Sequence, residues 1–138
     1  MAGTLSDDDY RALAAFRFQI RNFTEFSHLA VAEAGLTPQQ HQVMLGIKSL
    51  GLDQPVVIRT LADWLRLQHH SVIGLVDRLE RRSLVRRGRS PQDRRCVVLR
   101  LTRTGETVLA ALTRAHRSEL SAAAPGLVAA LSRLVAER

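Results

Sequence analysis

A mainly helical chain with one small β-hairpin is the fold class this sequence predicts, and three observations lead to it. Apolar residues recur every three or four positions over most of the 138 residues, the spacing of helices that bury one face. Two short stretches of this kind, 60–68 and 69–82, follow one another with only a tight turn between them. After them the pattern switches to strand, turn and strand across 84–101.

The first element runs from Asp7 to about Ala34 without proline or glycine, with Leu13, Phe16, Ile20, Phe23 and Ala30 on one stripe. Phe18, Phe26 and Leu29 lie off it, so the helix is apolar on two sides and needs two things to pack against, the second expected to be another subunit. Gly35 ends it. Leu36-Thr37-Pro38-Gln39-Gln40 then restarts a helix, with Thr37 as N-cap and Pro38 at the first helical position, where its missing N–H costs nothing. That helix carries Val43, Met44, Ile47 and Leu50 to Gly51, and Met44 is expected in the core.

Val56-Val57-Ile58 is too short for a helix and is expected to be a small strand. Thr60 is expected to cap the next helix, which runs to Gln68, and the one after it runs from His69 to Arg82 with Val72, Leu75, Val76 and Leu79 buried. Such a pair is a helix-turn-helix pattern, although small helical bundles contain such pairs too. Trp64 is expected to pack against the core or the hairpin. The hairpin itself reads as Leu84-Val85-Arg86-Arg87, a loop from Gly88 to Arg94, and Cys96 to Leu101 with Val97, Leu99 and Leu101 inward. Thr102 caps a further helix through Val108, Leu109, Leu112, Ala115 and Leu120, which Pro125-Gly126 is expected to break before a last short helix with Leu127, Leu131 and Leu134.

Charge says more than length. Between Arg78 and Arg103 there are ten arginines against Glu80 and Asp93, a net +8, while the rest of the chain carries −1. A solvated face usually mixes signs and uses lysine, whereas lysine occurs once here, so a polyanion partner is expected. An apolar content of 46 % and a charged content of 24 % argue for a folded core and against disorder. No apolar run is long enough to span a bilayer and the acidic start Ser6-Asp7-Asp8-Asp9 is unlike a signal peptide, so a cytoplasmic protein with no membrane partner is expected. The lone Cys96 makes neither an internal disulfide nor a cysteine zinc cluster. A glycine-rich phosphate loop, a nucleophile elbow and a spaced acid pair are all missing from the sequence, and adjacent His70-Ser71 point about 100° apart on a helix, so no enzyme is expected.

With these elements in place the sequence resembles the MarR family of winged helix-turn-helix transcription regulators over nearly its whole length. The resemblance rests on Leu36-Thr37-Pro38-Gln39-Gln40, Leu61-Ala62 with Leu65, Leu75-Val76-Asp77-Arg78-Leu79-Glu80, Leu84-Val85, Asp93-Arg94-Arg95, and Leu101-Thr102 with Gly105. It implies a winged helix-turn-helix lobe, 36–102, on a helical dimerisation platform formed by 1–35 and 103–138. It also implies a homodimer, double-stranded DNA as partner, and a small-molecule effector bound where platform and lobe meet. The chain departs from the family at Arg66, in the turn of the helix-turn-helix, and at Ser83, at the end of the second helix, where the family often has glycine; either Ser83 is left-handed and strained by about 1 kcal/mol or the helix ends differently there.

The resemblance places Gln68, His69, His70 and Ser71 at base edges or phosphates in the major groove, with Gly74 allowing close approach. Surface or cap roles are the alternative for the two histidines. Arg78 faces phosphate, or an acid on its own helix, and Arg81 and Arg82 are solvated. In the hairpin, Arg94 or Arg95 enters the minor groove, oriented by Asp93, and Arg87 and Arg89 meet the DNA backbone. His28, His41 and His116 are placed at the effector pocket, with the dimer interface as the alternative for His41 and His116; with no carboxylate or cysteine at ligand spacing, no metal or other cofactor is expected. Cys96 is not on the first helix, where the family's peroxide sensors keep their cysteine. The function expected is a sequence-specific, ligand-responsive repressor on a pseudo-palindromic operator, against an architectural DNA-binding protein without an effector or a winged protein-interaction module.

Overall fold

The computed structural model describes residues 3–136. Its elements are α1 (Asp7–Glu33), α2 (Pro38–Leu50), α3 (Ile58–Leu65), α4 (His69–Arg81), β1 (Val85–Arg89), β2 (Val97–Leu101) and α5 (Arg103–Val135). The chain divides into two compact units, one of residues up to Ala30 with those from Arg114 onward, the other of Val31–Thr113.

In the second unit, α2 starts as its sequence dictates. The Thr37 hydroxyl accepts from Gln40 N at 3.1 Å, and the Gln40 side chain accepts from Thr37 N at 3.0 Å, a reciprocal capping box with Pro38 inside the first turn. Helix α2 buries Val43, Met44 and Ile47 against α3 and α4, which supply Leu61, Ala62, Val72, Leu75, Val76 and Leu79. Deep burial of such side chains stabilises by about 1.5–3 kcal/mol each. Trp64 lies over Gly46, where an added Cβ would come within 2.9 Å of the ring, yet the indole remains 43 % exposed.

Helix α3 starts at Ile58 with Val57 as N-cap, not at a Thr60 cap. Leu61 N donates to Val57 O at 3.1 Å, so the helical ladder begins earlier than the polar cap suggested. The expected strand Val56–Ile58 shrinks to one bridge, in which Leu99 N donates to Val56 O at 2.8 Å. Both departures from glycine take up the left-handed backbone: Arg66 has φ 56° and Ser83 φ 58°.

Strands β1 and β2 pair antiparallel, with Val85 opposite Leu101 and Arg86 opposite Arg100. Val98, Leu99 and Leu101 are buried and Val97 is exposed, so the expected strict alternation fails at Val97. The hairpin base is stitched to the start of α5: Thr102 Oγ1 donates to Ser83 O at 2.6 Å and accepts from Gly105 N at 3.0 Å. Gly105 must be glycine here, since a Cβ would stand 2.1 Å from Leu84 O.

The first unit is a pair of antiparallel helix segments. Ser27 Oγ lies 2.8 Å from His116 Nε2, and Phe23 and Phe26 each meet the imidazole edge-on at 5.8 Å. Further along, a Cβ on Gly126 would approach the Gln19 amide at 2.9 Å. Helix α5 runs unbroken through Pro125, contrary to the break expected at Pro125-Gly126. A proline inside a helix interior costs about 3 kcal/mol, and here the helix continues past it with Gly126 packed against Gln19 of α1. Leu13, Phe18, Ile20 and Leu29 on α1, and Val128, Leu131 and Val135 on α5, are exposed in the single chain.

Candidate nucleic-acid interface

The interface is built on α4 and the β1–β2 hairpin, both within the Val31–Thr113 unit. The left-handed Arg66 ends α3, and Gln68 in extended conformation opens α4 three residues before Ser71. Gln68, His69, His70 and Ser71 are all exposed on that first turn. Gly74 follows one turn on, and a Cβ there would find only the Arg78 guanidinium, at 4.0 Å. Nothing within the unit demands glycine at this point. Arg78 is exposed and has no ion pair among the described residues, so the alternative of a pair with an acid on its own helix is not realised.

Arg87 is placed differently from expectation. Its guanidinium donates to Asp77 Oδ1 and to Glu80 Oε1, both at 2.7 Å, and its backbone N donates to Glu80 Oε2 at 3.2 Å. Burial alone would lower the Arg87 pKa, but the two carboxylates outweigh it and raise it. The two carboxylates hold this guanidinium as a brace between the hairpin and α4, a role the expected backbone contact did not include. The sequence carried a signal: Asp77 and Glu80 stand one turn apart on one face of an otherwise basic helix. Arg82 is exposed, as expected, and also donates to Gly35 O, tying the end of α4 to the turn before α2.

The hairpin loop is ordered by Ser90, a residue the sequence reading missed. Its buried hydroxyl accepts from Gln92 N at 3.3 Å and Asp93 N at 3.4 Å, while Ser90 N donates to Cys96 O at 3.0 Å. This turn presents Asp93 to the end of the loop, where Oδ1 accepts from Arg95 N at 3.0 Å and Arg95 Nε at 3.3 Å. Those bonds, the backbone one first, hold the Asp93 carboxyl below the usual carboxylate range. The Asp93 charge in turn pushes the Cys96 thiol up. Arg89 donates to Arg94 O at 3.1 Å, and the side chains of Arg94 and Arg95 both stand in solvent, Arg95 93 % exposed.

The three histidines assigned to an effector pocket fall in both units. His28 is exposed and His116 half-buried in the first; His41 is buried in the second. Among the described residues no group of three or more His, Cys, Asp or Glu is arranged to hold a metal, and no helix is long and apolar enough to cross a membrane.

Residues 34–95, from the end of α1 to the hairpin loop, match the model of the MarR family. No curated protein matches the chain. Among solved structures, YusO of Bacillus subtilis is similar at TM-score 0.67 and 21 % identity, covering 85 % of this chain and 82 % of that one. A MepR mutant of S. aureus bound to an oligodeoxyribonucleotide has TM-score 0.66 and 20 % identity, over 83 % and 79 %. CouR of Rhodococcus jostii bound to p-coumaroyl-CoA has TM-score 0.62 and 21 % identity, over 84 % and 87 %. The chain shares the fold of these solved proteins, and its segment 34–95, which holds α2, α3, α4 and β1, is the part similar to the MarR family.

Proposed function

We propose that this protein is a transcription regulator, not an enzyme, that binds double-stranded DNA as a homodimer. The observation that carries this reading is the pairing, in one unit, of the exposed first turn of α4 with an arginine-rich hairpin loop braced to the same helix through Arg87. In the proposed complex Gln68, His69, His70 and Ser71 enter the major groove, Arg78 and Arg89 meet phosphates, and Arg94 or Arg95, oriented by Asp93, enters the minor groove. The exposed apolar residues of α1 and α5 supply the dimer contact. Two lobes of a dimer then grip successive major grooves about 34 Å apart at a pseudo-palindrome.

The finer part of the proposal is ligand-responsive repression. A small molecule that favours the non-binding spacing of the lobes about a hundredfold lowers DNA affinity by roughly 2.7 kcal/mol, enough to release an operator. DNA bound to the MepR mutant and a coenzyme A thioester bound to CouR support both halves of this reading by analogy of fold.

Selection from a random duplex pool tests it. A regulator enriches a pseudo-palindrome and prefers it over random duplex by about a thousandfold at fixed salt. Equal affinity for random and selected duplexes would instead mark an architectural protein, and no affinity for either a protein-interaction module.

A further inference from the structure

On the face of the hairpin turned away from the Arg87 brace, Arg86 and Arg100 are direct cross-strand partners. Like charges directly opposite each other destabilise a sheet. Neither guanidinium has an ion pair among the described residues. Both line a groove of about 520 Å³ between the hairpin, the end of α2 and the start of α5. Its exposed apolar lining is Leu52 and Pro55, on the loop after α2, with Ile47 and Val56 buried beneath them. Lys48 also lines it, neutralised by Glu106 at 3.0 Å, and Asp53 stands on its exposed loop.

We infer that this groove is a binding site for a small phosphate monoester, with Arg86 and Arg100 gripping the phosphate and Leu52 and Pro55 contacting the organic body. The volume falls within the roughly 300–1,000 Å³ typical of small-molecule sites. Each planar guanidinium offers a two-pronged donor that matches two phosphate oxygens, and a dianion is the charge that relieves two adjacent cations together. A DNA backbone presents one charge per phosphate on a convex rod, which a concave groove does not complement. The site lies wholly within one unit and does not depend on the DNA-binding proposal.

Titration calorimetry of the full chain with phenyl phosphate, and separately with benzoate, tests the inference. Phenyl phosphate is expected to bind, with benzoate weaker by about tenfold or more because it carries one charge. Arg86→Gln with Arg100→Gln is expected to weaken phenyl phosphate by about tenfold or more, while Arg81→Gln, on exposed α4 surface, leaves it unchanged. Amide shifts of the unaltered protein on adding phenyl phosphate are expected at Gly51, Val56 and Leu99, which locates the site even if the double variant folds poorly. Failure of phenyl phosphate to bind, equal binding of benzoate, full affinity in a folded double variant, or shifts confined to α4 and the hairpin tip would each overturn the inference. So would a double variant whose only loss is affinity for duplex DNA.

Discussion

The Arg87 guanidinium on β1 and the Asp77 carboxylate on α4 meet at 2.7 Å, and with Glu80 at the same distance they lock the angle between the hairpin and the helix behind it. In the proposed complex those two elements enter neighbouring grooves of the same duplex, so the lock fixes their relative reach.

Arg87→Ala is therefore expected to weaken duplex binding by loosening the brace, not by removing a phosphate contact. Exposed ion pairs are worth about 0–1 kcal/mol each, so the melting temperature falls only slightly. A diagnostic readout is the salt dependence. Losing a phosphate contact flattens the slope of log affinity against log salt by about 0.9, whereas losing a brace leaves that slope unchanged.

Gly74→Ala separates packing from DNA approach. A Cβ there meets only the Arg78 guanidinium at 4.0 Å, so thermal denaturation is expected to show a gain of about 1 kcal/mol from helix propensity. Anisotropy titration is expected to show weaker duplex binding, because the same methyl stands between α4 and the groove. A stabilised variant with unchanged DNA affinity would place α4 elsewhere.

Ser83→Gly removes a left-handed serine at φ 58°. Denaturant titration is expected to show roughly 0.5–1 kcal/mol of added stability, the relief of strain exceeding the entropy cost of glycine in the unfolded chain. The Thr102 bond is untouched, because it is made to the Ser83 backbone carbonyl.

The hairpin loop should respond to acid and to thiol reagents. The Asp93 carboxyl is held low, so the Arg95 bonds are complete above the usual carboxylate range and are lost as pH falls through the lowered value. Cys96, raised chiefly by the Asp93 charge, is expected to alkylate more slowly near neutral pH than an ordinary exposed cysteine. Asp93→Asn is expected to speed the reaction and to shift its pH profile downward. A profile unmoved by that substitution would break the link between the two residues.

How much was legible in the sequence depended on whether the deciding interaction was local. The α2 start was readable because Thr37, Pro38 and Gln40 act within one turn. The left-handed positions at Arg66 and Ser83 were flagged where the family often has glycine, and the backbone has φ 56° and 58° there. Pro125 misled because a helix breaker read locally does not end α5, whose next residue, Gly126, packs against Gln19, a residue distant in sequence. Val56 and Ile58 misled because one residue served the sheet and the next ones a helix. In the candidate interface, the exposed turn of α4 and the arginine loop lie where periodicity and charge put them. The brace was missed because charge counting treats ten arginines alike, while Asp77 and Glu80 single out one of them.

The most direct test of the DNA-binding claim is anisotropy titration of a selected duplex with the unaltered protein and with Arg94→Ala plus Arg95→Ala, at one salt concentration. Both side chains stand in solvent, so stability is expected to be unchanged. Affinity is expected to fall roughly ten- to a hundredfold, the worth of an arginine lost from a narrow minor groove together with a neighbouring phosphate contact. Unchanged affinity in the folded double variant would contradict the account.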